Sequence, residues 1–421
     1  MVEIYLCAKG GEGIDLRLLF FGKKMIHEIS KTHSRIATLI VAFNAGSRSE
    51  EKGGYNSGIA HMLEHSIFKG TATKTASEIQ RQIGFYGGSS NAFTSHEAVA
   101  YFISVPYENL EPCMEILADM IFNPAFPDDE IIREIEVVKE EEMSSFDGVS
   151  SYMWKSFSED FFDNYLSIPV IGTQDSISKF TVDEVRRFHS QFCDRKDAIV
   201  SLCSNLNKKN SKAILNKYFG PANGKTRNPY KYVKTTYGKR RYSEIVKGGI
   251  EHSYVWIGTP SVTTGSDMAG KIKVLTTILG QGMDSRLFEK VREKSGLVYG
   301  ISSGTTEFNG GGLSIVEFST REKNLMPAIE IVDAELSKIK MTMPSEEEVQ
   351  RAKNKIKSSF YSAMEDSYSL AYWAIKRRLD RLPSIEGYMA NIESVTPSEV
   401  SEAAREIFDK DRQLTLICRS E

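Results

Sequence analysis

The sequence predicts an α+β protein of two similar halves, each roughly 200 residues and each an antiparallel-rich sheet with helices packed on one face. Three observations point there. A chain of 421 residues, 41% hydrophobic and 26% charged, is globular in composition and favours more than one domain. A stretch between about residues 220 and 242 is rich in Gly, Pro, Lys and Arg and holds no acid, and the order of elements before it recurs after it. Ile103–Leu117 and Val316–Val332 each read as a strand, a short acidic turn and an amphipathic helix. The expected partition is 1–220, a basic linker over 221–243, and 244–421.

In chain order, regular patterning starts near Met25. Ile36–Asn44 is an apolar run ended by the polar Gly46-Ser47-Arg48-Ser49-Glu50, which predicts a buried strand and a turn. Helical periods follow from about Ser57 to Phe68 and from Ala76 to Gly84. The Gly-rich Tyr86–Ser90 leads into a strand pair through Asn91 to Val105. Helices are predicted over Leu110–Phe122, Asp128–Met143 and Val182–Gln191, and a strand over Ala198–Cys203. The second half repeats the pattern as a strand Tyr254–Gly258, a helix Asp267–Gly280, a strand Leu313–Phe318 and a helix Pro327–Ile339.

Net charge of −3 leaves no nucleic-acid footprint, and the basic stretch reads as a solvated linker. The five cysteines form no CxxC pair and are expected to be reduced and buried, which fits a cytoplasmic protein. No run approaches the roughly 18 apolar residues of a membrane span. Leu16–Phe21 is short and interrupted by Arg17, and Glu3, Glu12 and Asp15 do not suit a signal or transit peptide. The mature chain is therefore expected to start near Met1.

The chemistry concentrates in His61-Met62-Leu63-Glu64-His65. At roughly 100° per residue, His61, Glu64 and His65 share one side of a helix and Ile59, Met62, Leu63 and Ile67 the other. Two imidazoles one turn apart can chelate a single Zn²⁺, and the Glu between them stands where it can take a proton from water. The chain has seven histidines, and no other two are spaced this way. A catalytic zinc site needs a third protein ligand. Ile131–Met143 offers one: Ile131, Ile135, Val137 and Val138 define an apolar arc, and Glu134 and Glu141 project from its middle, about 20° apart. Glu136 and Glu140 fall on the other side, and Glu142 near the edge of the arc stays open on angle alone. Carboxylates aimed at a core require a cation or another partner.

In these residues the chain resembles the M16 (pitrilysin-like) metallopeptidases. Within that family it is similar to the mitochondrial processing peptidase β-subunit and its bacterial relatives. Gly58–His65 with Phe68-Lys69-Gly70-Thr71 carries the likeness, which runs from about residue 25 to the end. The resemblance implies the LuxS/MPP-like metallohydrolase fold in each half. It implies one zinc per chain held by His61, His65 and Glu141, rather than Glu142, with Glu134 behind a ligand. Asn91, Ala92, Phe93 and Thr94 resemble the edge strand where extended substrate pairs by main-chain bonds. Arg292 and Tyr299, in a segment similar to the family's Arg/Tyr element, would bind a substrate carbonyl and stabilise its developing charge.

The resulting expectation is a zinc endopeptidase acting on unfolded peptides, with Glu64 as general base. Both motifs in one chain favour a homodimer whose halves enclose a chamber, with a heterodimer containing a related subunit as the alternative. Two other readings compete: a non-catalytic subunit of the same fold, and a hydrolase of non-peptide substrates.

Overall fold

Ile36–Phe43 (β3) is buried throughout after Ile36, the mark of a strand covered on both faces. Its side chains divide by period two. Ala37, Leu39, Val41 and Phe43 join the main core, while Ile40 and Ala42 join a second cluster behind the sheet. The computed structural model describes residues 14–21, 24–31, 34–220 and 234–421; Cys7 and residues 221–233 of the expected linker lie outside the described residues.

Around β3, Ile14–Phe21 (β1), Lys24–Lys31 (β2), Ser89–Thr94 (β4), Val99–Pro106 (β5) and Ile199–Ser204 (β6) form a sheet in the order β1-β2-β6-β3-β5-β4. β2 and β6 are parallel and the other neighbours antiparallel. The second sheet contains Tyr242–Lys247 (β7), Ser253–Ser261 (β8), Val298–Phe308 (β9), Gly311–Thr320 (β10) and Leu414–Ser420 (β11). Its order is β7-β11-β8-β10-β9, with β7 and β11 the parallel pair. Apart from β1, the two orders are identical once the strands are matched in chain sequence. The expected duplication is thus visible in the topology, and β4 and β9 are equivalent edges.

Helices cover the main face of each sheet. In the first, Ile59–Ile67, Ala76–Phe85, Leu110–Phe122, Asp128–Ser145 and Val182–Phe192 bury Met62, Leu63, Ile79, Leu117, Val138 and Val185. In the second, Ala269–Gly280, Leu325–Met341, Glu346–Ala363 and Pro397–Ile407 do the same with Leu275, Val332, Ile356 and Val400.

The opposite faces are covered as well. Ser367–Asp380 sets Leu370, Ala371, Ala374 and Ile375 against Ile40, Ala42, Ala100 and Cys203 of the first sheet. Val149–Phe161 sets Met153, Phe157 and Phe161 against Trp256, Leu313, Leu414 and Leu416 of the second. The compact units are accordingly Met1–Ser144 with Ile168–Lys231 and Ala363–Leu379, and Ser145–Ser167 with Tyr232–Ser362 and Asp380–Glu421. Each half lends the other one helix, so the units do not follow the single cut at 221–243 that composition indicates.

Helices on both faces depart from the expected covering of one face, and three further details differ from the sequence expectation. β1 occupies a stretch in which no pattern was legible. Tyr237, within the expected solvated linker, packs on Phe161 and Phe162, and its hydroxyl bonds both the N–H and the carbonyl of Gly312. Val137, expected on the apolar arc of its helix, is 50% exposed. Cys113, Cys193, Cys203 and Cys418 are buried free thiols. Among the described residues no helix is long and apolar enough to cross a membrane.

Candidate metal centre

The helix Ile59–Ile67 begins without a polar cap of its own. Gly58 stands at φ +93°, and a Cβ there would meet the carbonyl oxygen of Ile171 at 2.3 Å, so only glycine fits. The cap comes from Glu50, whose two carboxyl oxygens accept the N–H groups of Gly58 and Ala60, each at 3.0 Å. Burial pushes the Glu50 carboxyl up to about 8, against the pull of those two bonds. The sequence predicts a polar turn at Glu50; in the structure it lies in the short helix Arg48–Gly53. The available signal was a helix preceded by glycine rather than by Ser, Thr, Asp or Asn, which leaves its first N–H groups in need of a distant acceptor.

Ile59, Met62, Leu63 and Ile67 face the core, while His61, Glu64 and His65 are half-buried on the other side, as predicted. The two imidazole rings lie 4.7 Å apart between centroids. Glu141 approaches from the helix Asp128–Ser145, with Oε2 at 3.3 Å from His65 Nε2 and Oε1 at 3.8 Å from His61 Nε2. One donor atom from each of His61, His65 and Glu141 lies within 4.8 Å of the others, the one such group among the described residues. Glu142, left open by the wheel, turns elsewhere: it is buried and accepts a 2.7 Å bond from Gln174 Nε2.

Glu134 sits behind His65. Its Oε1 is 2.8 Å from His65 Nδ1, and its Oε2 bonds the ammonium of Lys69. Burial opposes the charge of Glu134, but the bonds to His65 and Lys69 outweigh it and hold the carboxyl below its usual range.

The donor set fits a zinc ion. Burial, aided by the neighbouring His65, drives the His61 imidazole down to about 4, so it is neutral at ordinary pH, as ligation requires. Its Nδ1 is buried without a hydrogen-bond partner. For His65 burial acts downward too, yet the bonds to Glu134 and Glu141 prevail and raise it to about 9. That reversal marks a pocket whose carboxylates favour positive charge.

Glu64 points to the edge strand. Its Oε2 accepts a 2.5 Å bond from the Thr94 hydroxyl at the end of β4. Burial raises the Glu64 carboxyl, with the Thr94 bond pulling the other way. Asn91, Ala92 and Phe93 precede Thr94 on β4, whose one strand partner among the described residues is β5. Phe93 is held from behind by Tyr372, at 5.5 Å between ring centroids.

Arg292 and Tyr299 belong to the second unit. Arg292 lies on the π-helical turn Phe288–Lys294, which Gly296 follows at φ +60°, and Tyr299 is the second residue of β9. The guanidinium stands 5.2 Å from the Tyr299 ring and 4.5 Å from that of Phe288, and Tyr299 is 84% exposed. The two predicted residues are thus brought to each other.

Comparison with known proteins matches two models of one family. Residues 26–173 match the insulinase model of peptidase family M16, and residues 179–356 match the M16 inactive-domain model. The chain belongs to peptidase family M16. Its zinc-type motif lies in the segment matched by the first model, and the second model's description suits a half in which no histidine pair of this spacing occurs.

Similar proteins include YmxG, an uncharacterized zinc protease of Bacillus subtilis, 28% identical with 95% of this chain and 97% of that one covered. An uncharacterized zinc protease of Streptomyces coelicolor is 29% identical over 91% of this chain and 85% of its own. Among solved structures, a protease from Helicobacter pylori superposes with a TM-score of 0.86 at 22% identity, covering 97% of this chain and all (100%) of that one. A peptidase M16 inactive domain from Pseudomonas fluorescens gives 0.85 at 17% identity, covering 97% and 98%. Family membership and these zinc-protease relatives point to a metallopeptidase.

Proposed function

We propose that this M16 protein is a zinc-dependent endopeptidase with one zinc per chain, held by His61, His65 and Glu141. The observation that carries the reading is the convergence of these three donor groups beside Glu64, itself bonded to the edge strand through Thr94. Zinc, when bound, supplies the Lewis acidity that makes water a nucleophile near neutral pH. Glu64 takes the proton from the attacking water and passes it to the leaving amine, a role suited to a carboxyl whose proton affinity burial has raised. The open edge of β4, along Asn91–Thr94, pairs with the substrate backbone in extended form, which gives affinity with little demand on side chains. Arg292 and Tyr299 bind the substrate carbonyl.

The rest of the reading is drawn from the resemblance: unfolded peptides taken into a chamber, a homodimer, and kinship with the mitochondrial processing peptidase β-subunit group. A cytoplasmic setting is compatible with the four free thiols. The test is metal content together with cleavage of a quenched fluorescent peptide, with and without chelator. About one zinc per chain and chelator-sensitive cleavage are expected. Zinc without cleavage would favour a non-catalytic or partner-dependent subunit, and no zinc would overturn the proposal.

A further inference from the structure

The segment after the ligand helix, Phe68-Lys69-Gly70-Thr71, has no role in the mechanism above, yet it is tightly built. Phe68 N–H bonds the His65 carbonyl at 3.3 Å and Lys69 N–H the Ser66 carbonyl at 3.2 Å, so the helix tightens as it ends. Gly70 then turns the chain at φ +114°, and its carbonyl accepts Ala125 N–H at 3.0 Å. Thr71 bridges to Pro124, and its hydroxyl oxygen accepts the N–H groups of Thr73 and Lys74 at 3.2 and 3.1 Å. The backbone at Lys69 is therefore fixed on both sides. From this turn the Lys69 ammonium reaches Glu134 Oε2, with both side chains largely withdrawn from water at 22% and 10% exposure.

We propose that Lys69 is a positioning residue for the metal, acting through Glu134 on His65. The inference rests on the zinc reading above. A carboxylate bonded at one oxygen can rotate about its side-chain torsions; Glu134 is gripped at both, by His65 Nδ1 on one side and Lys69 on the other. The grip fixes the plane of the carboxylate, the carboxylate fixes the imidazole ring, and the ring presents Nε2 on the side of Glu141. Without Lys69, Glu134 is held at one oxygen only and is free to turn away from the ring.

The experiment measures zinc affinity by competition with a chromophoric chelator at fixed pH, together with the melting temperature of the metal-free protein. Lys69→Met is expected to raise the zinc Kd roughly tenfold, at the low end of what partners of metal ligands contribute. Lys69→Arg is expected to recover most of that loss. Because the effect passes through Glu134, adding Lys69→Met to Glu134→Gln should cause no further loss. Wild-type zinc affinity in Lys69→Met, or an equal loss in the Glu134→Gln background, would overturn the proposal. Should Lys69→Met not fold, Lys69→Gln removes the charge while keeping a donor and is read by the same two comparisons. A wild-type protein that binds no zinc would overturn the underlying reading as well, and that outcome is separate from one in which only the variants behave alike.

Discussion

Three carboxylates surround the two histidines, and what each touches separates their tasks. Glu141 meets both imidazoles, Glu134 is committed to His65 and Lys69, and Glu64 meets the edge strand. Glu64 is therefore the one that can lose its charge without disturbing the donor set. Glu64→Gln is expected to keep zinc and lower kcat by about 10²–10⁴-fold, the usual contribution of a general base. Metal analysis and peptide cleavage on the same sample check it, and loss of zinc from this variant would count against the division of roles. The helical wheel indicated the directions of Glu134 and Glu141, but it could not rank their depth: Glu134 is buried, while the Glu141 side chain is 42% exposed. Nor could it exclude Glu142, because the partner that absorbs it, Gln174, is remote in sequence and an angle carries no information about partners.

At the scale of elements, the ligand helix depends on a cap that local rules do not supply. Glu50 closes it from outside, and Gly58 lets the chain pass under Ile171. Gly58→Ala combines a left-handed φ with a contact no Cβ can make, and is expected to cost roughly 1–3 kcal/mol or more in denaturant unfolding. Glu50 ties stability to pH. Its folded value of about 8 lies above the 4.5 of the free side chain, so the folded state holds the proton more tightly than the unfolded state. Its contribution is then complete below about pH 4.5 and is lost as pH rises through about 8. Unfolding free energies measured from pH 5 to 9 should fall across that window, and Glu50→Gln should flatten the dependence; an equal slope in both proteins would reject it. Strongly periodic elements were legible to within a few residues, including Leu110–Phe122 and both strands of the β4–β5 hairpin. The helices Glu346–Ala363 and Ser367–Asp380 were not. Glu346–Ala363 has only a narrow apolar stripe, Val349, Ala352 and Ile356, among many charges, and Ser367–Asp380 fills its contact face partly with alanine.

For the whole molecule, the repeated strand order was foreshadowed by the likeness of Ile103–Leu117 to Val316–Val332, whereas the exchange of helices was hidden. A local pattern says that a helix has an apolar face but not which sheet receives it. The exchange has a direct test. A fragment of residues 1–220 lacks Ser367–Asp380 and leaves Ile40, Ala42, Ala100 and Cys203 uncovered on the back of its sheet. It is expected to aggregate or to bind a hydrophobic dye strongly, and co-expression with residues 221–421 should restore a soluble complex on size-exclusion chromatography. A soluble, cooperatively folding 1–220 fragment would show that the covering helix is dispensable. The same trade makes the two segments interdependent: neither 1–220 nor 244–421 carries the helix that covers the back of its own sheet, so each needs the other's stretch of chain to complete its layers.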